Sequence, residues 1–433
     1  MIALFTTELS PRLTYVAGQV FTQWLGHDIS WFTNPSDFES FEGVKINYSN
    51  LPLTADIQIK PAGLLTETGI HSKPPGVETL NGIPVLFPNN GTNDFSFDFF
   101  SAVFWMISRM EEYEFEKKDR FNRFSGYQSF AYRAGFLDLP IVDVWLRILI
   151  NSLPEEKRPL FHTDAFKFTA TIDVDNAYAI YGKPYWRQVM ASVRDFLKGK
   201  PGYISTRWKI WNGKQTDPYD SYSFLEETSH KYKTSFTFFY LLGDYSRRDR
   251  NLSWQSDILR KVIYSNLKWS KSGVHPSFSS YENPKIIQRD VQRLKEIGGT
   301  RVNQSRQHYL RCRFPVTFQH LIEAGIRNDY TLGFHDLPGY RAGTGRSFHY
   351  YDIAVEQETE LIMHPFVFMD GTFHDYMRLS AQQAIKKTEE IFETAKKYGT
   401  PVCSVWHNDT VNSQGSWIGW QQVFLRQFEL ADK

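Results

Sequence analysis

Residues 168–178 read FTATIDVDNAY. The run alternates between apolar and small polar residues up to Asp173, which predicts a strand. Asp173 and Asp175 stand two apart, so both project to one side where the chain leaves the sheet. Two acids held this way can divide the labour of a hydrolysis. One ligates a divalent cation, and the other stays free as general base toward a water whose pKa the cation lowers. The purely structural alternative is a pair of helix caps or surface ligands.

Downstream, short extended runs alternate with longer helical ones, which predicts an α/β unit with a parallel sheet and crossover helices. Seven strands are expected, at 167–173, 235–242, 273–276, 301–304, 329–334, 361–364 and 401–407. Helical patterns lie near 222–233, 255–271, 284–298, 315–325 and 380–398, while 334–361 reads as a long Gly-rich loop. The helix at 284–298 is well signposted: Asn283 and Pro284 cap it, and Gly298 and Gly299 stop it.

The polar residues suited to chemistry sit at the ends of these strands, as functional groups do on the C-terminal face of βα barrels. His275, in SGVHPSFSSY, is a nitrogen donor for zinc or a similar ion, although a histidine beside a proline is commonly structural. The run SRQHYLRCRFP (305–315) contributes His308 as a further ligand candidate and Arg306 as a partner for an acid; its default reading is a solvated basic patch. In GFHDLPGYRAGTGRSFHYYD (333–352) the glycines would allow close backbone approach to a ligand, with Arg341 in the centre. Tyr340 in this loop, Arg306, and Trp406 in SVWHND (404–409) are expected substrate contacts. His407 is placed to act as general acid, with Asp370 orienting its imidazole.

The 433 residues are 41% hydrophobic, enough for two cores. With 49 Lys and Arg against 48 Asp and Glu, the formal charge is +1, and the balance offers no electrostatic footprint for nucleic acid or a membrane surface. Cys312 and Cys403 have no partner at CxxC or ribbon spacing, which argues against disulfide scaffolds and Cys-based metal sites. The N-terminus lacks a basic leader, and the longest apolar stretch, 95–107, is too short to span a bilayer, so a cytoplasmic address is expected. Upstream of the barrel, helical periodicity at 12–25, 96–112 and 140–153 and an extended piece at 83–87 predict a mixed α/β unit. The polar, proline-bearing segment LPEEKR (153–158) is the expected linker, dividing the chain into 1–157 and 158–433.

Taken together, TIDVDN, the HPS turn, GYRAG, Met369 with Asp370, and WHN resemble the five-motif layout of the NodB-like polysaccharide deacetylases, the family-four carbohydrate esterases. RQHYLR, GYRAGTG and the upstream FDFFSAVFWMISRMEEYE, DRFNRF and FLDLPIVDVW further resemble a Bacteroidetes subgroup with an extra N-terminal domain. The resemblance implies a C-terminal distorted (β/α)7 barrel holding one divalent metal ion, Zn²⁺ or similar. It implies a carbohydrate substrate, an N-acetylated amino sugar of a surface polysaccharide or its precursor, with no nucleic acid and no membrane span. Asp173 would be the general base, Asp175 and His275 ligands, His407 the general acid, and Arg341 the arginine orienting the base. The family's HSxxH pattern requires a second histidine at position 279, where this chain has Ser279, so His308 is taken as the third ligand. The rival readings are a sugar-binding or assembly protein that has lost its metal, and a related amide or ester hydrolase.

Overall fold

Strand β1 (Ile2–Thr6) is apolar on both faces and wholly buried, and it forms the centre of a four-stranded parallel sheet with β2 (Ile29–Phe32), β3 (Val44–Tyr48) and β4 (Ile57–Ile59), in the order β2-β1-β3-β4. Helix Pro11–Ala17 starts where Ser10 accepts a hydrogen bond from the Leu13 amide and Pro11 fills the first turn. It continues as wider π-type turns to Trp24, so the helical pattern at 12–25 corresponds to two kinds of turn. Helix Phe99–Ile107 is buried on every side, with buried Asp98 capping it and accepting from the Tyr48 hydroxyl at 2.9 Å. The amphipathic helix Ile141–Asn151 and the hairpin of β5 (Val77–Leu80) and β6 (Ile83–Leu86) complete this half. The computed structural model describes residues 1–71, 73–89, 95–115, 119–161, 166–199, 202–299, 301–412 and 414–432.

The second sheet has nine strands among the described residues: β7 (Phe168–Val174), β8 (Thr237–Leu241), β9 (Lys271–His275), β10 (Gln304–Ser305), β11 (Asn328–Asp329), β12 (Phe348–Asp352), β13 (Gln357–Met363), β14 (Phe368–Met369) and β15 (Val402–His407). Their order is β12-β13-β11-β10-β9-β8-β7-β15-β14, parallel throughout except where β12 hairpins onto β13. All seven expected strands are present, but β10 and β11 are only two residues long, and the segment expected to be a loop contains β12. The expected helices sit between them, including Pro284–Gly298, which ends on Gly299 at φ 63°.

A closed (β/α)7 barrel is not what these pairings make. The sheet is open, with β12 and β14 as its unjoined edges among the described residues. Added antiparallel, β12 occupies the outer edge of β13, and the N-terminal half then covers the hairpin. The Tyr15 hydroxyl donates to His349 O at 2.6 Å, Arg12 pairs with Glu356 at 2.5 Å, and Gln19 donates to Glu358 at 3.1 Å.

The two halves share one contiguous apolar core. Its seam is the Gly-rich loop, whose glycines lie close against protein atoms. A Cβ on Gly339 would lie 2.7 Å from Leu137 O, and one on Gly345 would lie 1.9 Å from Pro401 O. The expected linker continues into a short helical turn, Glu155–Leu160, whose Lys157 pairs with Asp56 at 2.8 Å.

Candidate active site

Because β7 and β15 are adjacent and parallel, Asp173 and His407 are in register, and His275 ends β9 two strands away from β7. The three face one cavity of about 240 Å³, lined also by Asp175, Gln307, His308, Tyr309, Met369, Tyr376 and Arg123. A larger cavity of about 570 Å³ beside β4 gathers no comparable set of titratable groups.

Asp173 is held by Arg306, whose Nη1 donates to Oδ1 at 2.7 Å and to the Thr171 hydroxyl at 2.8 Å, while Nε donates to Tyr330 O at 3.0 Å. This arginine is fully buried. Only the second oxygen of Asp173 is left toward the cavity, 3.8 Å from His275 Nε2.

Asp175, His275 and His308 bring one donor atom each to within 4.8 Å of one another. His275 Nδ1 lies 2.6 Å from Arg306 O, and a carbonyl only accepts, so Nδ1 carries the proton and Nε2 turns inward. Asp249 fixes His308 in the same way, its Oδ1 2.9 Å from Nδ1. The inward Nε2 atoms sit 3.2 Å and 3.3 Å from the two oxygens of Asp175. Oδ1 of Asp175 is buried and has no hydrogen-bond partner among the described residues. A carboxylate between two imidazole nitrogens whose other nitrogens are tied to oxygen acceptors could hold a divalent cation, with those acceptors as its supporting layer. The residues fit the group. In the protein alone, burial would lower the His308 pKa, but Asp175 and Asp249 outweigh it and lift it to about 9. Burial would likewise raise that of Asp175, yet His308 and His275 hold it well below the ordinary carboxylate value.

Opposite this cluster, His407 Nδ1 lies 3.0 Å and 3.1 Å from the oxygens of Asp370, which also accepts from the His407 amide at 2.8 Å and from the Thr410 hydroxyl at 2.5 Å. Asp370 is fully buried, so the ring is fixed with Nε2 toward the cavity, 4.0 Å from Asp175. Burial opposes the protonated ring, but Asp370 dominates and raises the His407 pKa well above its usual value. The neighbouring Asp409 carboxyl is pushed up to about 6, chiefly by burial.

Three expected site residues lie elsewhere. Arg341 does not orient Asp173: its guanidinium pairs with Glu112 of the N-terminal half, Nε to Oε1 at 2.9 Å and Nη2 to Oε2, and Nη1 donates to Gly333 O at 2.7 Å. Arg306 occupies that role, and being fully buried it is not a substrate contact. Tyr340 is buried in the seam, its amide donating to Leu137 O at 3.0 Å. Trp406 follows the strand alternation away from His407 into the core, where its Nε1 donates to Gln427 at 3.2 Å. Ser279 is exposed and outside the cavity lining.

Asp249 and Arg123 are among the residues of the site that were not expected from the sequence. Asp249 comes from the loop after β8, a wholly buried strand that ends in Tyr240 and Leu241 with no charged residue at its tip. Arg123 reaches the cavity from the N-terminal half, donating to the Tyr376 hydroxyl at 2.8 Å and pairing with Asp119 at 2.8 Å. Its only local signal was the basic, aromatic run DRFNRF.

Residues 2–158 match a family model described as a family of unknown function, DUF7033. No curated protein matches the chain. Among solved structures, a Mycobacterium smegmatis protein assigned as a polysaccharide deacetylase superposes with a TM-score of 0.39 at 14% identity, over 62% of this chain and 84% of that one. A polysaccharide deacetylase from Bacillus cereus gives 0.30 at 10% identity, over 60% and 86%. Both superpositions are loose, so the chemistry is read from the site's own geometry.

Proposed function

We propose that the chain is a metal-dependent hydrolase that removes N-acetyl groups from amino sugars of a surface polysaccharide or its precursor. One observation carries the reading: a three-donor cluster and an arginine-held carboxylate face an aspartate-held imidazole across one cavity. A divalent ion such as Zn²⁺ held by Asp175, His275 and His308 would supply Lewis acidity toward an amide carbonyl and acidify a water molecule.

The chain's own residues then divide the proton transfers. Asp173 has one oxygen tied to Arg306 and the other free, so it accepts the proton of the attacking water. His407 carries its second proton on Nε2, because Asp370 occupies Nδ1, and it delivers that proton to the departing amine. Asp370 keeps the imidazole charged until then, and Asp249 keeps His308 turned inward. A sugar-binding protein that has lost its metal is the weaker reading, because His308 offers a third donor atom from the β10 end in place of the histidine missing at Ser279.

The test is metal analysis of purified protein together with an acetate-release assay on N-acetylated mono- and oligosaccharides. One equivalent of a divalent ion and chelator-sensitive acetate release are expected. Metal-independent release, or full inertness of the metal-loaded protein toward every N-acetylated sugar, would sink the proposal.

A further inference from the structure

The crossover from β7 to β8 leaves the sheet beside the cavity and folds into two helices, Tyr185–Leu197 and Gly202–Trp211. They are held together by the Asp195–Arg207 ion pair at 2.5 Å and by edge-to-face packing of Tyr185, Trp208 and Trp211. The first helix is inside out. Its polar Gln188 and Asp195 are buried, while Trp186, Met190, Val193 and Leu197 are 56%, 65%, 49% and 78% exposed. Their i, i+4, i+7, i+11 spacing places them on one face, and exposed Tyr185 and Phe196 flank it. No soluble helix gains by this arrangement; it needs an apolar partner.

The charge around the stripe selects that partner. Residues 185–211 carry six Lys and Arg and one acid, Asp195, which Arg207 already neutralises. A second copy of the chain would bring the same cations against one another. A lipid surface with anionic headgroups instead satisfies both the apolar stripe and the cations, as it does for helices that lie in the interface plane. No described helix is long and apolar enough to cross a membrane. We infer that the helical pair 185–211 docks the protein on the surface of an anionic bilayer.

The root of the pair gives this docking a consequence. Asn408, next to His407, donates to the carbonyls of Asn176, Ala177 and Tyr219 at 3.2, 3.4 and 3.1 Å, and accepts from the Ser221 hydroxyl at 2.7 Å. Asp217 accepts from the amides of Ala179, Ile180 and Tyr181, each at 2.8 Å. Both ends of the excursion are thus pinned to one another and to Asn408, so the docked pair is tied to the segment that carries His407.

Co-sedimentation of the full chain with phosphatidylcholine/phosphatidylglycerol vesicles, against phosphatidylcholine alone, tests the inference. Binding should require the anionic lipid and fall about tenfold or more in Phe196→Glu/Leu197→Glu, whose side chains face solvent. A charge variant, Lys198→Glu/Lys209→Glu, should lose binding while circular dichroism and acetate release from a soluble sugar stay unchanged. Absence of binding by the wild-type chain, or binding at the wild-type level by either variant, would overturn it. So would a native dimer that Phe196→Glu/Leu197→Glu turns into a monomer, since the face would then belong to a second copy.

Discussion

In the four-stranded sheet the strands end in Thr6, Phe32, Tyr48 and Ile59, whereas in the nine-stranded sheet β7, β9 and β15 run out into Asp173, His275 and His407. Both are parallel apart from the β12 edge of the larger sheet, and the difference lies in what their buried charges are for. In the N-terminal half Glu112 takes Arg109 at 2.8 Å and Arg341, and Asp143 takes Arg346 at 2.6 Å together with the hydroxyls of Thr344 and Thr400. Each of these charges is matched and the outcome is adhesion between the halves. In the site, Asp175 keeps a buried oxygen without a hydrogen-bond partner, and Asp173 keeps one oxygen free. Matched charge holds the molecule together, and charge left unmatched is available for chemistry.

Breaking the unmatched set should cost turnover most. Asp173→Asn and His407→Ala are each expected to lower kcat by about 10²–10⁴-fold, read by acetate release, with the circular dichroism of the native fold retained. The opposite result belongs to the seam. Glu112→Gln leaves the buried Arg341 guanidinium without its carboxylate and Arg109 with Glu111 alone, and should destabilise the protein by about 3–5 kcal/mol in denaturant titration, leaving the turnover of each folded molecule near normal.

Asp249→Asn lies between these extremes: it should weaken divalent-ion affinity by about 10–100-fold in a chelator competition. A pH signature accompanies it. The His308 pKa is raised to about 9 from 6.5, so its stabilisation of the metal-free protein is complete below 6.5 and fades as pH rises through 9. The Tm of chelated wild-type protein should therefore fall over that window, the fall should be shallower in Asp249→Asn, and ion uptake at neutral pH should release a proton. The smallest effect is expected at Tyr340, whose buried hydroxyl has no partner among the described residues. Tyr340→Phe should change stability by no more than about 1 kcal/mol and leave turnover intact.

Asp173, Asp175 and His407 were legible as candidates because an apolar strand that ends in a polar residue announces both the strand and the direction of its tip, whereas His308 follows a strand too short to announce anything. Which arginine serves Asp173 was not legible either. Arg306 and Arg341 both follow short strands, and only the lateral order β9-β10-β11 puts the first across from β7. The two-residue strands β10 and β11 are too short for any periodicity, and β12 was hidden by the glycines that let the halves touch. A net charge of +1 likewise concealed the cationic helical pair, because its excess is offset by acids elsewhere in the chain.

Asp143 sits on the N-terminal side of the seam and neutralises an arginine of the other half while accepting from two of that half's threonines. In evolutionary terms this couples two genetic segments. A version of either segment that lacks its member of this set would leave a buried charge unmatched, so the two halves are expected to diverge together. A search for kin of this protein should therefore look for the pairing of both segments, and for Asp143 and Arg346 changing together, rather than for either segment alone.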